Sequence, residues 1–229
     1  PKDFATDLTL GATGDTVTVA ADSMSINKVQ DKGGNTLWDF SSGSFVSSMK
    51  EFASQNLKLL STQIASSHSS ISFTTGIDST YDVYIFKSNA INPATDAAHF
   101  EFQCSTDGGS NYNTVTTTTY FFASHDEANT ATDLSYHSSY DQAQGTGFQI
   151  ISNNTGNQAD ESCAGILHLF NPSSTTYVKH FYCRVQNSEQ NTNTNDIFVA
   201  GYFNTTTAID KIQFKMSSGN MDGVIQMYG

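Results

Sequence analysis

The chain has 229 residues, with 10 Lys plus Arg against 22 Asp plus Glu and a formal net charge of −12. Arg184 is the only arginine, so no guanidinium cluster exists to grip phosphates, and the chain is a poor nucleic-acid binder. It contains no run of 18 apolar residues, so no membrane insertion is expected.

Ser, Thr and Asn make up roughly a third of the residues, well above ordinary usage. Aromatic residues reach 12% and are spread along the chain, which supplies enough apolar area for a core. Helix-favouring Glu, Lys, Arg and Leu are scarce while Thr, Val, Ile, Phe and Tyr are common, so composition points to an all-β chain. The length suits one compact domain with a short extension, or two small domains. Pro1 reads as a mature end left by removal of an initiator Met.

Residues 1–45 differ from the rest. Leu8-Thr9-Leu10 and Thr16-Val17-Thr18-Val19-Ala20 flank the turn Gly11-Ala12-Thr13-Gly14-Asp15. Ser25-Ile26-Asn27-Lys28-Val29-Gln30 is a further short strand, followed by the turn Asp31–Thr36 and the apolar group Leu37, Trp38 and Phe40. These strands are too short to close a core alone. The segment is therefore read as a β-rich attachment and oligomerisation region, with Leu8, Leu10, Val17, Val19, Leu37, Trp38 and Phe40 as its docking residues. Residues 46–56 break the β pattern. Val46, Met49, Ala53, Leu57 and Leu60 recur at helical spacing with Ser44 as a cap, which predicts a short linking helix or linker.

From residue 57 to 229, strands recur at regular intervals. They are expected over 57–65, 70–75, 81–88, 99–105, 114–123, 147–152, 165–170, 177–185, 196–203, 209–216 and 224–228, separated by Gly-, Asn- and Ser-rich turns. With no βαβ rhythm and only three prolines, the expected fold is an antiparallel jelly-roll-like β-sandwich head domain.

Ser105-Thr106-Asp107-Gly108-Gly109-Ser110-Asn111-Tyr112 fits the S-x-D-x-G-x-x-aromatic pattern of a hairpin turn in which Asp caps backbone amides. His125-Asp126-Glu127, with Asp133 and His137, lies in a segment, Ser124 to Gln144, that reads as one long loop. Asp126, Glu127 and Asp133 have a spacing that makes them a weak calcium candidate; otherwise no metal site and no cofactor are expected. No nucleophile elbow, Walker loop, dinucleotide turn or zinc spacing occurs, so the chain is read as non-enzymatic. His168 and His180 sit within strand patterns and read as outward or cross-strand side chains. Cys104, Cys163 and Cys183 each sit in an apolar run and read as buried free thiols, with a Cys163–Cys183 disulfide as the alternative. Tyr112, Tyr120, Phe121, Phe122, Tyr136 and Tyr140 crowd one stretch; Tyr112, Tyr136 and Tyr140 are the candidate glycan contacts.

Five blocks resemble virion structural and tail-fibre-like proteins of marine tailed bacteriophages. They are Ser70–Tyr84, Ser105–Asn113, Leu169–Thr176, Gly201–Thr205 and Ile212–Asn220. The likeness runs from about Leu57 to the C-terminus and carries no catalytic residues. It implies an external appendage on the virion surface, assembled in the host cytoplasm: a homotrimer with a jelly-roll head, docked on capsid or tail proteins as a capsid decoration, head fibre or short tail fibre. The alternative it implies is a receptor-binding fibre tip that recognises a host cell-surface glycan.

Overall fold

A computed structural model describes residues 28–30, 36–39 and 57–229, and the chain divides between Asn56 and Leu57. In the first part, β1 (Lys28–Gln30) pairs antiparallel with β2 (Thr36–Asp39), Val29 opposite Trp38. Leu8, Leu10, Val17, Val19, Phe40 and the helix expected over 46–56 lie outside the described residues.

The second part is an all-β antiparallel sandwich of two sheets. Its strands are β3 (Leu59–His68), β4 (Ser70–Phe73), β5 (Val83–Pro93), β6 (Ala98–Ser105), β7 (Thr116–Asp126) and β8 (Thr132–Tyr136). They continue with β9 (Gln149–Thr155), β10 (Cys163–Phe170), β11 (Lys179–Ser188), β12 (Asn193–Phe203), β13 (Lys211–Met216) and β14 (Met221–Tyr228). One sheet has eight strands in the order β3-β14-β5-β10-β11-β12-β7-β8; the other has four, β4-β13-β6-β9. Four of the pairings are nested: β3 with β14, β4 with β13, β5 with β10, and β6 with β9. The chain leaves this nest twice, for β7–β8 and for β11–β12, and both excursions widen the eight-stranded sheet.

Period-two alternation drives this layering, because successive side chains in a strand face opposite ways. In β11, Lys179, Phe181, Cys183, Val185 and Asn187 are buried while the residues between them are exposed. The buried faces meet as a core rich in phenylalanine. Phe214 of the small sheet packs against Phe73 (6.3 Å), Phe86 (5.6 Å) and Phe100 (5.9 Å), and Phe102 stands edge-on to Phe181 at 5.0 Å. Edge-on and offset rings are the favoured geometries for aromatic pairs.

The segment Ser124–Gln144 is not the single long loop that its composition predicts. β8 runs through it and pairs with β7 from Phe121↔Tyr136 to His125↔Thr132. None of its five residues is buried, so backbone pairing rather than side-chain burial holds it. The three thiols are free and buried. Cys163 lies opposite Asn187 and Cys183 opposite Leu167. Four residues of offset separate their Cα atoms by roughly 13 Å, too far for a disulfide. Burial pushes the Cys163 thiol up to about 12 and raises the other two as well.

Candidate functional site

Paired residues of adjacent strands share a face, so the register turns the outer face of the eight-stranded sheet into cross-strand rows. One row runs from β8 to β3 through Tyr136, Phe121, Phe198, Arg184, Ile166, Lys87, Gln226 and Thr62. The next runs through Thr119, Ala200, Tyr182, His168, Ile85, Tyr228 and Leu59. Leu134, Ala123, Asp196, Gln186 and Ala164 flank the first row; Thr117, Tyr202 and His180 flank the second.

These positions alternate with core residues such as Tyr120, Ile197, Cys183 and Leu167, so they face away from the small sheet. Many are large, apolar and open to solvent: Leu134 is 75% exposed, Tyr136 55%, Tyr182 47%, Ile166 41% and Phe121 40%. The rings are organised across strands. Phe121 stacks on Phe198 at 5.0 Å with planes 3° apart, and His168 stacks on Tyr182 at 4.5 Å. Phe170 lies 5.5 Å from Tyr182, and His180 lies 6.1 Å from Tyr202. Cross-strand aromatic pairs of this kind stabilise a sheet by about 0.2–1 kcal/mol each.

The chain's single arginine sits at the middle of this face. Its guanidinium grips the Asp196 carboxylate through Nε (2.8 Å) and Nη2 (2.6 Å) while lying 4.9 Å over the Phe198 ring. Asp196 is the only acid in the four rows, and Arg184 neutralises it. Lys87 rests 4.7 Å over the Tyr228 ring. Two shallow depressions, of 410 and 290 Å³, flank Arg184, one beside Ile166 and Gln186 and the other beside Phe121, Tyr182 and Phe198. A flat, nearly uncharged aromatic surface can receive another protein face or the C–H side of a sugar ring.

The three candidate glycan tyrosines do not share a surface. Tyr112 lies in the β6–β7 turn, its hydroxyl close against Gly109. Tyr136 stands on the outer face beside Phe121 and donates its hydroxyl hydrogen to Asp141. Tyr140 packs on the core side, 5.2 Å from Tyr120 and stacked 5.1 Å from His137. The Ser105–Tyr112 motif is a turn. Ser105 Oγ accepts from Gly109 N (3.0 Å), and Asp107 accepts from Asn111 N (2.9 Å) and Asn111 Nδ2 (2.8 Å). Hydrogen bonds from Asn111, then Ser105, hold the Asp107 carboxyl at about 2.

Asp126 likewise caps a turn, accepting from the Thr130 hydroxyl, Thr130 N (2.8 Å) and Ala131 N (2.9 Å), and its carboxyl is held at about 2 mainly by Thr130. Glu127 is exposed, and Asp133 accepts from its own neighbour Ser135. Among the described residues, no three His, Cys, Asp or Glu side chains are grouped to hold a metal ion. Of the expected docking residues, Leu37 and Trp38 fall in β2, where only the backbone is described.

Sequence reasoning did not find the outer face as a unit. His168 and His180 read as outward or cross-strand side chains and aromatic residues crowd around Phe121, but the rows depend on which strands become neighbours. The signal present in the sequence was the second, aromatic register of each strand: Phe170, Tyr182, Phe198 and Tyr202 alternate with equally apolar core residues. Comparison with known proteins gives no match to a family model, to a curated protein or to a solved structure.

Proposed function

We propose that this chain is a non-enzymatic structural protein on the outside of a tailed-phage virion, a homotrimeric appendage docked through its first 45 residues. The observation that carries this reading is the aromatic face of the eight-stranded sheet. Leu134, Tyr136, Tyr182, Ile166 and Phe121 are all exposed on this one face, and exposed clusters of large apolar side chains mark protein–protein contact. The nested pairing supports the finer reading of the fold. β3–β6, β9, β10, β13 and β14 pair as the eight strands of a jelly roll pair, and β7, β8, β11 and β12 extend one of its sheets.

The test is position and copy number. Quantitative mass spectrometry of purified particles, with imaging of a labelled chain, is expected to find this protein outside the particle in multiples of three. Its absence from particles would overturn the reading. The second reading, a fibre tip that holds a host glycan, is favoured by the open His168–Tyr182 stack, since flat ring pairs can seat a sugar. It predicts that the purified protein binds host cells and blocks adsorption.

A further inference from the structure

We propose that the outer face of the eight-stranded sheet is the surface through which copies of this chain pack on one another, its occupant being a second copy. This rests on the homotrimeric reading above and assigns it a surface.

Charge is the first argument. The chain carries 22 acidic residues against 10 basic ones, so two copies repel across most approaches. The four rows of this face hold one acid, Asp196, already paired with Arg184, and one further cation, Lys87. Away from the Tyr136 edge, where Asp141 accepts from the tyrosine hydroxyl, two copies can close without bringing acidic groups together. The composition agrees: interface cores are depleted in charge and enriched in Tyr, Phe and Arg, and an arginine lying on a ring and pinned to a carboxylate is already ordered before contact.

Size is the second argument. Eight strands span roughly 34 Å at the usual strand spacing, and the rows extend about 20 Å along the strands, a projected area on the order of 700 Å². Each partner in a stable complex contributes about 800 Å²; shared between two neighbours, this face supplies somewhat less than half of that in each contact, as its apolar centre. The face also differs at its two margins, aromatic at β8 (Tyr136, Phe121) and aliphatic at β3 (Leu59, Ile64). A ring of three needs such a difference, because each copy meets its two neighbours through unlike surfaces.

The experiment is the mass of the full chain in solution, by light scattering and sedimentation across a dilution series. The wild type is expected at three times 24.8 kDa. Tyr182→Glu, near the middle of the face, is expected to fall to single chains with self-association weakened at least about 100-fold, as for a central contact of an interface, and Phe121→Glu, nearer the β8 margin, to weaken it by a smaller factor. Tyr177→Glu, at an exposed loop position off the face, is expected to keep the wild-type mass. Circular dichroism checks that each variant is folded. Should the Glu variants not fold, Phe121→Ala and Tyr182→Ala replace them, with hydrogen exchange of the wild type expected to show extra protection of β11 and β12 only when assembled. Folded face variants that remain trimeric overturn the proposal while leaving the homotrimer standing. A wild type that is a single chain at micromolar concentration overturns both, as does a single-chain wild type whose Tyr182 signals shift with host oligosaccharide.

Discussion

Lys179 is a lysine with no exposed surface. It sits fully buried at the start of β11, and its ammonium donates to the carbonyl oxygens of Thr205 (3.1 Å) and Thr207 (2.6 Å). Burial pulls its pKa below the ordinary lysine value. The ion pairs among the described residues involve Arg184, Lys211 and Lys215 instead. Two carbonyls take two of the three N–H groups of Lys179, and through them it ties the loop after β12 to β11. Lys179→Ala strips both carbonyls and opens a hole, an expected loss of about 2–4 kcal/mol read from urea unfolding. Lys179→Met refills the hole and is expected to lose about half as much; equal losses would locate the whole effect in the hydrogen bonds. Gly109 is a second residue whose identity matters. Its φ is +86°, and an added Cβ would lie 3.2 Å from the Tyr112 hydroxyl. Gly109→Ala is expected to cost about 1–2 kcal/mol. In the same turn, Asp107 has a depressed carboxyl, so its contribution is complete above the ordinary value of 3.8 and is lost as pH falls through about 2. The Asn111 amide signal should therefore titrate near 2; a midpoint near 3.8 would contradict the turn geometry.

The strands show how far local pattern reaches. Those with a buried face, such as β6 and β11, follow from period-two alternation. β8 does not, because Thr132-Asp133-Leu134-Ser135-Tyr136 buries neither side and alternation reports burial. Several strands also run past their expected ends, to Thr155 in β9 and Ser188 in β11 and from Asn193 in β12. The extra inward positions are polar: Asn153, Thr155, Asn187 and Asn195 are all buried. Asn187 Nδ2 donates to Ser152 Oγ (3.0 Å) and Asn153 O (2.5 Å), and the Tyr120 hydroxyl donates to Asn153 Oδ1 (2.8 Å). Polar residues read as loop unless their partners are known; those of Asn153 and Asn187 come from other strands, while Thr155 pairs with Ser152 of its own strand and the buried Asn195 amide has no side-chain hydrogen bond. Close approach of strands has the same character. A Cβ on Gly201 of β12 would sit 2.4 Å from the Thr117 carbonyl oxygen of β7. Gly201→Ala is expected to force β7 and β12 apart at a cost of about 1–3 kcal/mol, visible as faster amide exchange in β7 and β8 ahead of the rest of the sheet. Uniform exchange would count against it.

For the molecule as a whole, a half-buried histidine contributes to acid sensitivity. His99 Nδ1 accepts a hydrogen bond from Asn154 N at 3.0 Å, its ring packs 5.4 Å from Tyr140, and burial lowers its pKa below 6.5. The unfolded chain therefore takes up this proton more readily than the folded one. Stability is complete above pH 6.5 and declines as pH falls below it. His168, lowered by the same cause, acts in the same direction. The thermal midpoint is expected to fall between pH 7 and 5, and His99→Gln to flatten that fall; an unchanged slope would remove His99 as its source. The sequence alone determined the class of this protein. An all-β chain with antiparallel strands, buried thiols and an Asp-capped turn follows from composition, period two and one turn motif, all of which are local. The tertiary structure decided which strands touch. β3 pairs with β14 across nearly the whole described sandwich, and β7 reaches β12 rather than β9. Alternation tells each side chain which way to face but not which strand lies beside it. Only the pairing order brings Phe121, Phe198, Arg184, Tyr182 and His168, drawn from four strands, onto one surface.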